Sequence, residues 1–123
     1  MVPTSDTNLR FKRSRHWVVP VISLELWDWS NKHRANSGLD EILVGQHDTF
    51  FRQWAMDAAR YRERVILRFG FEMNGDWFSW GGQPKLFRQA WLRARKIFAE
   101  EGAGNVEWMF APNVLYASKK HLE

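Results

Sequence analysis

Three apolar segments of strand length alternate with two amphipathic segments of helical length, and this order limits the folds that the chain can adopt. It predicts strands at about 18–24, 65–72 and 105–113, and helices at about 48–63 and 84–101. Apolar strands separated by helices are typical of parallel βαβ units, in which the helices cover the sheet. The sequence therefore predicts an α/β fold built on a parallel sheet.

The length of 123 residues sets a second limit. A complete (β/α)8 TIM barrel needs roughly 250 residues, so we expect a partial barrel of about three β/α units. Residues 1–16 are basic and lack periodicity, and we expect a disordered arm there, followed by the partial barrel domain at 17–123. The polar, turn-rich segment from Ser30 to Gly45 is expected to be a long loop.

Composition and charge argue against several classes of protein. The absence of Cys leaves no disulfide framework and no thiolate metal site. No apolar window approaches the roughly 18 residues of a membrane span, and no signal peptide is recognisable. The net charge of +4 comes largely from basic residues near the two ends, which are expected to be solvated surface. We therefore expect no nucleic-acid partner and no membrane partner.

No metal or cofactor is predicted either. The four histidines are widely spaced and are expected to lie at the surface; they are His16, His33, His47 and His121. A metal site would need several ligands at a recognisable spacing, and these residues do not provide it.

Alternation along the second strand separates an apolar side from a side that carries charge. The apolar side, expected to lie under the helices, consists of Val65, Leu67, Phe69 and Phe71. The other side, expected to face a barrel interior, consists of Ile66, Arg68, Gly70 and Glu72. A charge in a buried strand is costly unless it is paired or functional. We expect Arg68 to pair with an acidic neighbour.

Polar residues lie at the carboxyl ends of all three predicted strands. Glu25, Glu72 and Asn113 are expected to share one rim of the sheet, which is where barrel enzymes build their active sites. Glycoside hydrolysis needs one carboxylic acid that protonates the leaving oxygen and a second carboxylate as nucleophile or base. Glu72 suits the first role. Glu25 could supply the second, since neighbouring strands lie about 4.8 Å apart and retaining carboxylates about 5–5.5 Å apart.

Six of the eight tryptophans fall into two groups by position. Those on helices or on the helix-facing side of a strand are expected in the core; they are Trp54, Trp91 and Trp108. Those near strand ends could present flat faces to sugar rings, and they are Trp27, Trp77 and Trp80. The competing interpretation for Trp77 and Trp80 is packing of the loop onto the rim.

The segment RFGFEMNGDWFSWGG, from Arg68 to Gly82, resembles the acid/base motif at the fourth strand of family-26 glycoside hydrolases, chiefly endo-β-1,4-mannanases. The resemblance covers roughly residues 17–115 and implies strands three to five of the barrel. It implies a retaining mechanism on a β-linked polysaccharide, no cofactor, and an extracellular location. Glu72 matches the family's acid/base residue.

The resemblance also implies that Asn74, Trp77 and Trp80 line the substrate cleft. Two departures from the family pattern stand out. Phe71 occupies the position before the acid/base, where the family usually has His. The family's nucleophile is a Glu on the seventh strand, and we find no counterpart to it after Glu72.

Two functions follow as hypotheses. The first is a piece of an endo-glycosidase that contributes Glu72, with Glu25, Trp27 and Asn113 as further substrate-binding residues. The alternative is a glycan-binding or catalytically degenerate module of the same fold. Because three strands cannot close a barrel, we also expect self-association through uncovered barrel edges.

Overall fold

A computed structural model describes residues 18–27 and 38–114 of the chain. The predicted arm at 1–16 and residues 30–37 of the predicted loop lie outside the described residues. The elements in chain order are β1 (Val21–Leu24), α1 (Gly38–Leu43), α2 (Asp48–Tyr61), β2 (Val65–Phe69), α3 (Pro84–Glu100) and β3 (Val106–Trp108). All five predicted elements are present, although each of the three strands is shorter than predicted.

The three strands form one parallel sheet in the order β1-β2-β3. Between β1 and β2, Ser23 pairs with Arg68 and Leu24 with Phe69. Parallel neighbours need a crossover connection after each strand. The pair α1 and α2 makes the first crossover and α3 makes the second, as the βαβ prediction required.

The side of β2 that faces the helices is completely buried. Val65, Leu67 and Phe69 are all 0% exposed. The Phe69 ring lies 5.3 to 6.1 Å, centroid to centroid, from the rings of Phe51, Phe87, Trp91 and Trp108. Because these rings come from α2, α3 and β3, one side chain joins both helices to the sheet. The predicted alternation is confirmed as far as Phe69.

The tryptophans predicted for the core pack there. Trp54 of α2 is 4% exposed, and its ring lies 5.6 Å from that of Phe98 of α3. The rings of Trp91 and Trp108 are 5.3 Å apart and contact the same core. These aromatic contacts hold α2 and α3 against each other and against β3.

Helix α1 contradicts the predicted loop over residues 38–43. Leu39 and Ile42 lie three residues apart and are both 0% exposed, so one face of this short helix packs into the core. Gly38 lies so close to Leu26 that a Cβ there would clash with the Leu26 carbonyl oxygen. The loop prediction was wrong because Asp40 and Glu41 interrupt an apolar pattern that is only one turn long.

Gly70 ends β2 and reverses its alternation. Its φ is 53°, and a Cβ built on it would lie 2.6 Å from Leu26 and 2.7 Å from Phe87, on the helix side of the sheet. Phe71 turns to the opposite side, where its ring centroid lies 4.2 Å from the Arg68 guanidinium carbon. The sides predicted for Gly70 and Phe71 were therefore wrong, because a glycine at positive φ takes the chain out of the pleat.

Asn105 fastens the start of β3 to the preceding crossover. Its side-chain amide donates hydrogen bonds to the carbonyl oxygens of Ala58 and Glu63, both at 2.8 Å. Its own carbonyl oxygen accepts from the Val65 N–H at 3.1 Å. The end of α2 and the amino ends of β2 and β3 are thus held together.

The side of the sheet away from the helices is open in the described part of the chain. Val21 is 54% exposed, and Ser23 and Glu107 are exposed as well. Glu107 accepts two hydrogen bonds from Arg64, at 2.7 and 3.0 Å. The first strand, predicted to be buried, is therefore covered on one side.

Candidate functional site

The loop at 70–83, between β2 and α3, closes on itself through backbone hydrogen bonds. The Gly75 N–H donates to the Glu72 carbonyl oxygen at 3.1 Å, and the Gly82 N–H donates to the Met73 carbonyl oxygen at 2.9 Å. A Cβ at Gly81 would clash with the Gly75 carbonyl oxygen, so the two glycines permit a close approach of the backbone. The loop therefore holds its side chains in a defined arrangement.

Glu72, the predicted acid/base residue, lies in this loop beside the continuation of β3. Its N–H donates to the Ala111 carbonyl oxygen at 2.8 Å. Its φ of 54° is unusual for a residue other than glycine. The side chain is partly exposed, and Oε2 accepts a hydrogen bond from Trp77 Nε1 at 2.9 Å. A backbone contact and a side-chain contact thus fix the carboxylate at the carboxyl end of the sheet.

Trp77 is the tryptophan of the loop that presents an aromatic face to solvent. The residue is 44% exposed although its N–H is used by Glu72. A partly exposed indole beside a carboxylate is suited to stacking against the apolar face of a sugar ring. The predicted role of Trp77 in substrate binding remains a prediction.

Trp80 is buried inside the loop and does not line an open cleft as predicted. It is 0% exposed, and its Nε1 donates to the Phe71 carbonyl oxygen at 2.8 Å. Its ring stacks on that of Phe78, with centroids 4.3 Å apart and an interplanar angle of 7°. A buried indole has no face open to a sugar. The competing interpretation, packing of the loop onto the rim, describes its observed contacts.

Glu25 and Trp27 follow β1, and Trp27 contacts the same loop. Trp27 Nε1 donates to Glu25 Oε2 at 2.7 Å. The Trp27 ring meets the rings of Phe78 and Trp80 edge-on, at 5.8 and 5.5 Å. The end of β1 is therefore joined to the loop after β2 through aromatic contacts, and Glu25 belongs to the same end of the sheet as Glu72.

Asn74 and Asn113 contact each other directly. Asn74 Nδ2 donates to the Asn113 carbonyl oxygen at 3.0 Å, and Asn74 Oδ1 accepts from the Asn113 N–H at 2.7 Å. Both polar ends of the Asn74 amide are thus used to hold the segment after β3. Asn74 therefore fastens this segment, and its predicted contact with sugar hydroxyls stays a prediction.

Arg68 and Phe71 border the loop on the open side of the sheet. Arg68 Nη1 donates to Ser23 Oγ at 3.3 Å, and the guanidinium lies over the Phe71 ring. Among the described residues, Arg68 thus contacts Ser23 and Phe71, and not the acidic residue that the sequence predicted as its partner. Phe71 also meets the rings of Phe78 and Trp80, at 5.3 and 5.7 Å. Sequence reasoning missed Phe78, although the close aromatic spacing of DWFSW was a signal for a cluster.

Two structural findings concern metals and membranes. In residues 18–27 and 38–114, the His, Asp and Glu side chains form no group of three that could hold a metal ion. His47 Nε2 lies 2.8 Å from Glu41 Oε2, and the two form a part-buried hydrogen bond. Among the helices described, none has the length and apolar character needed to cross a membrane.

Comparison with known proteins adds one relationship. No family model matches the chain. Over 100 residues the chain is 27% identical to Endoglucanase H of Acetivibrio thermocellus, and the match covers 76% of the chain. The similarity is to a glycoside hydrolase. The matched part spans 10% of that relative's length.

Proposed function

We propose that the chain is part of a retaining endo-glycosidase of family 26 that hydrolyses β-1,4-linked mannan or a related β-glycan, with Glu72 as the acid/base. The observation that carries this proposal is a carboxylate held at the carboxyl end of a parallel sheet beside a partly exposed tryptophan. The similarity to an endoglucanase supports a polysaccharide substrate. No metal or cofactor is required for this chemistry.

The fold that we propose is a (β/α)8 barrel, of which this chain supplies three units. Three consecutive units of a (β/α)8 barrel would give a parallel sheet with an apolar side under helices and a second side facing the barrel interior. The order β1-β2-β3 and the burial of Val65, Leu67 and Phe69 support this interpretation. Further β/α units would then pair with the outer edges of β1 and β3. In their place, a second copy of the chain could cover those edges.

The proposed mechanism has two steps in which Glu72 moves a proton. In the first, Glu72 donates its proton to the glycosidic oxygen as the bond from the anomeric carbon to that oxygen breaks, and a second carboxylate attacks the anomeric carbon. In the second, the Glu72 carboxylate takes a proton from water while the water oxygen displaces the second carboxylate. The resemblance places that second carboxylate on a later strand. Glu25 is the alternative within this chain.

The substrate would lie across the open side of the loop. Trp77 offers the exposed aromatic face on which a sugar ring could stack, while Glu25, Trp27 and Asn113 provide the neighbouring rim. Trp80 and Asn74 support this surface from within through their contacts with Phe71 and Asn113.

A reducing-sugar assay on β-mannan and on β-1,4-glucan tests the catalytic role. The chain is compared with Glu72→Gln, which keeps the side-chain shape, and with Asp76→Asn as a control on an exposed carboxylate of the same loop. We expect hydrolysis to fall by at least about 100-fold in Glu72→Gln, because general acid/base catalysis contributes on that order. The control should retain activity. Equal hydrolysis by Glu72→Gln would exclude Glu72 as the acid/base.

Affinity electrophoresis in gels that contain each polysaccharide tests glycan binding separately from hydrolysis. Retardation without hydrolysis, abolished by Trp77→Ala, is expected of a binding module and also of an enzyme part whose second carboxylate lies on a later strand, and it would exclude Glu25 as that carboxylate. A chain that is not retarded and does not hydrolyse either polysaccharide would contradict both hypotheses. Glu25→Gln, assayed in parallel, tests whether Glu25 is the second carboxylate, since its loss should then abolish hydrolysis.

Sedimentation of the isolated chain tests the proposed open edges. Uncovered parallel strands and apolar helix faces should cause association that increases with protein concentration. A monodisperse monomer that melts cooperatively would contradict this part of the proposal.

A further inference from the structure

We propose that Trp77 is a positioning residue for Glu72, and that its indole N–H, as well as its aromatic face, contributes to catalysis. This inference rests on the proposed function, because it assigns the way in which the acid/base carboxyl is directed. It is carried by the contact between Trp77 Nε1 and Glu72 Oε2 at 2.9 Å.

The loop is built to bring the Trp77 indole onto Glu72. The Gly75 N–H closes a turn onto the Glu72 carbonyl oxygen at 3.1 Å. The indole then lies directly over Gly75, where any Cβ would clash with the Trp77 ring. Gly75 is therefore the position at which a side chain would displace the indole. The contact is a consequence of the turn and does not depend on chance placement of an exposed side chain.

The backbone of Glu72 is fixed separately from its side chain. The φ of 54° and the hydrogen bond to the Ala111 carbonyl oxygen hold the main chain next to the continuation of β3. The carboxyl group at the end of the side chain could still rotate. The Trp77 contact restricts this rotation, so the direction of the carboxyl depends on the indole.

The chemistry of the indole favours one oxygen of Glu72 as the carrier of the proton. An indole N–H donates a hydrogen bond and cannot accept one. Oε2, which accepts from Trp77, therefore presents a lone pair to the indole in both forms of the acid. Because a carbonyl oxygen is a better acceptor than a hydroxyl oxygen, the neutral form favours the proton on Oε1. A single N–H thus biases the choice of the oxygen that faces the leaving group.

A second indole–carboxylate pair provides a matched control. Trp27 Nε1 donates to Glu25 Oε2 at 2.7 Å, but the Trp27 ring packs edge-on against Phe78 and Trp80. Removing Glu25 should therefore affect Trp27 and leave Trp77 unchanged.

The structural test uses the 15N-labelled chain and the indole N–H resonances of its eight tryptophans. The signal that disappears in Trp77→Phe belongs to Trp77. We expect that signal to move and to exchange faster with solvent in Glu72→Ala, and to stay in place in Glu25→Ala. Unchanged positions of the other signals report an intact fold. If Glu72→Ala does not fold, Glu72→Gln replaces it, since loss of the charge should still move the Trp77 signal.

A Trp77 signal that stays in place when Glu72 is replaced would overturn the proposal. A signal that moves equally in Glu25→Ala would also overturn it, because the effect would then be a general rearrangement of the rim. This measurement requires no hydrolysis. It separates failure of the indole contact from failure of the proposed function.

The catalytic test replaces Trp77 with benzothienylalanine, which keeps the aromatic face and lacks the N–H. We expect kcat/KM on β-glycan to fall about tenfold, a part of the general-acid contribution. An aryl glycoside with an acidic phenol as leaving group needs little proton donation in the first step, so its kcat/KM should stay nearly normal, while its kcat should fall because Glu72 is also the base of the second step. Equal loss of kcat/KM on both substrates would contradict a positioning role. An unchanged rate on β-glycan would contradict it too.

If neither substrate is cleaved while the indole signal responds to Glu72, the contact stands, and cleavage needs a second carboxylate other than Glu25. Gly75→Ala gives an independent check, because it changes neither the Trp77 nor the Glu72 side chain chemically. We expect it to reproduce the kinetic pattern of the analogue by displacing the indole. Normal cleavage of β-glycan by Gly75→Ala would show that the indole position is unimportant.

Discussion

Arg93 and Asp48 form a two-bond ion pair that joins α3 to the first residue of α2. Arg93 Nε donates to Asp48 Oδ1 at 3.0 Å and Nη2 donates to Oδ2 at 2.8 Å. Arg93 Nη1 also donates to the Leu43 carbonyl oxygen at 3.2 Å, so the same side chain reaches the end of α1. One guanidinium therefore connects three helices, and its loss should be measurable.

Asp48→Asn should lower the free energy of unfolding by about 1 kcal/mol at neutral pH, the upper end for solvent-exposed ion pairs. The ion pair contributes no more than this because the Arg93 side chain is 39% exposed and water screens the pair. The hydrogen bonds from Arg93 hold the pKa of Asp48 below its usual value. The contribution is therefore present above the pKa of an unfolded Asp and is lost as the pH falls through the lower folded value.

Urea denaturation followed by tryptophan fluorescence, at neutral and at acid pH, checks this prediction. The difference between the chain and Asp48→Asn should shrink in acid. Glu107→Gln serves as the control, because it breaks an ion pair with Arg64 in which both side chains are at least half exposed. Its effect should be smaller. If the loss of unfolding free energy caused by Asp48→Asn grew in acid, it would contradict this prediction.

Gly70→Ala should destabilise the chain by about 2–4 kcal/mol, the combined cost of a left-handed alanine and an overpacked core. The new Cβ would meet Leu26 and Phe87 at the reversal of β2. Gly102→Ala isolates the backbone cost, since Gly102 has φ 73° and open space around it. Gly104→Ala, with open space and no positive φ, should be nearly neutral. Thermal melting that ranked the three in any other order would contradict this account.

Phe69→Ala should cost about 3–5 kcal/mol, because it leaves a cavity where four other rings meet. Phe110→Ala is the matched control, since Phe110 is 64% exposed and contacts only the edge of the same cluster, at Trp91. That change should stay within about 0.5 kcal/mol. Near-UV circular dichroism and urea midpoints measure both. Similar losses for the two variants would mean that Phe69 is not the centre of the core.

Trp80→Phe should mainly lower the stability of the fold, whereas Trp77→Phe should mainly affect polysaccharide binding and hydrolysis. Trp80→Phe removes the donor of the part-buried hydrogen bond to the Phe71 carbonyl oxygen and should cost about 1–3 kcal/mol. Trp77 is 44% exposed, so Trp77→Phe should change stability by about 0.5 kcal/mol or less. Its effect should instead appear in polysaccharide retardation and hydrolysis. A stable Trp80→Phe variant would remove the supporting role that we assign to Trp80.

The sequence predicted the scaffold well where a pattern extends over several residues. The alternation of Val65, Leu67 and Phe69 identified the buried side of β2, because burial repeats every second residue along a strand. The spacing of apolar residues located α2 and α3 in the same way. The six residues of α1 are too few to show such a pattern, and the helix packs against α3, which begins about 40 residues later in the chain.

The residues that the sequence nominated for the site lie together at one end of the sheet, but their contacts were harder to predict. The motif identified Glu72 and Trp77, and the structure joins them by a hydrogen bond. It also nominated Trp80 and Asn74, which are engaged with Phe71 and Asn113. These differences begin at Gly70 and Glu72, where positive φ values end the regular strand. Counting along an extended strand cannot give side-chain directions beyond such residues.

The closed hydrogen bonding of the loop at 70–83 has a consequence for how this protein could diverge. Because Gly75, Gly81 and Gly82 make their close contacts inside the loop, the position of Trp77 depends little on the outer surfaces of α2 and α3. Most residues of the helical layer could therefore be substituted during evolution while the rim keeps its geometry. Conversely, a new substrate preference could arise from changes to a few loop residues, without a search through the rest of the chain.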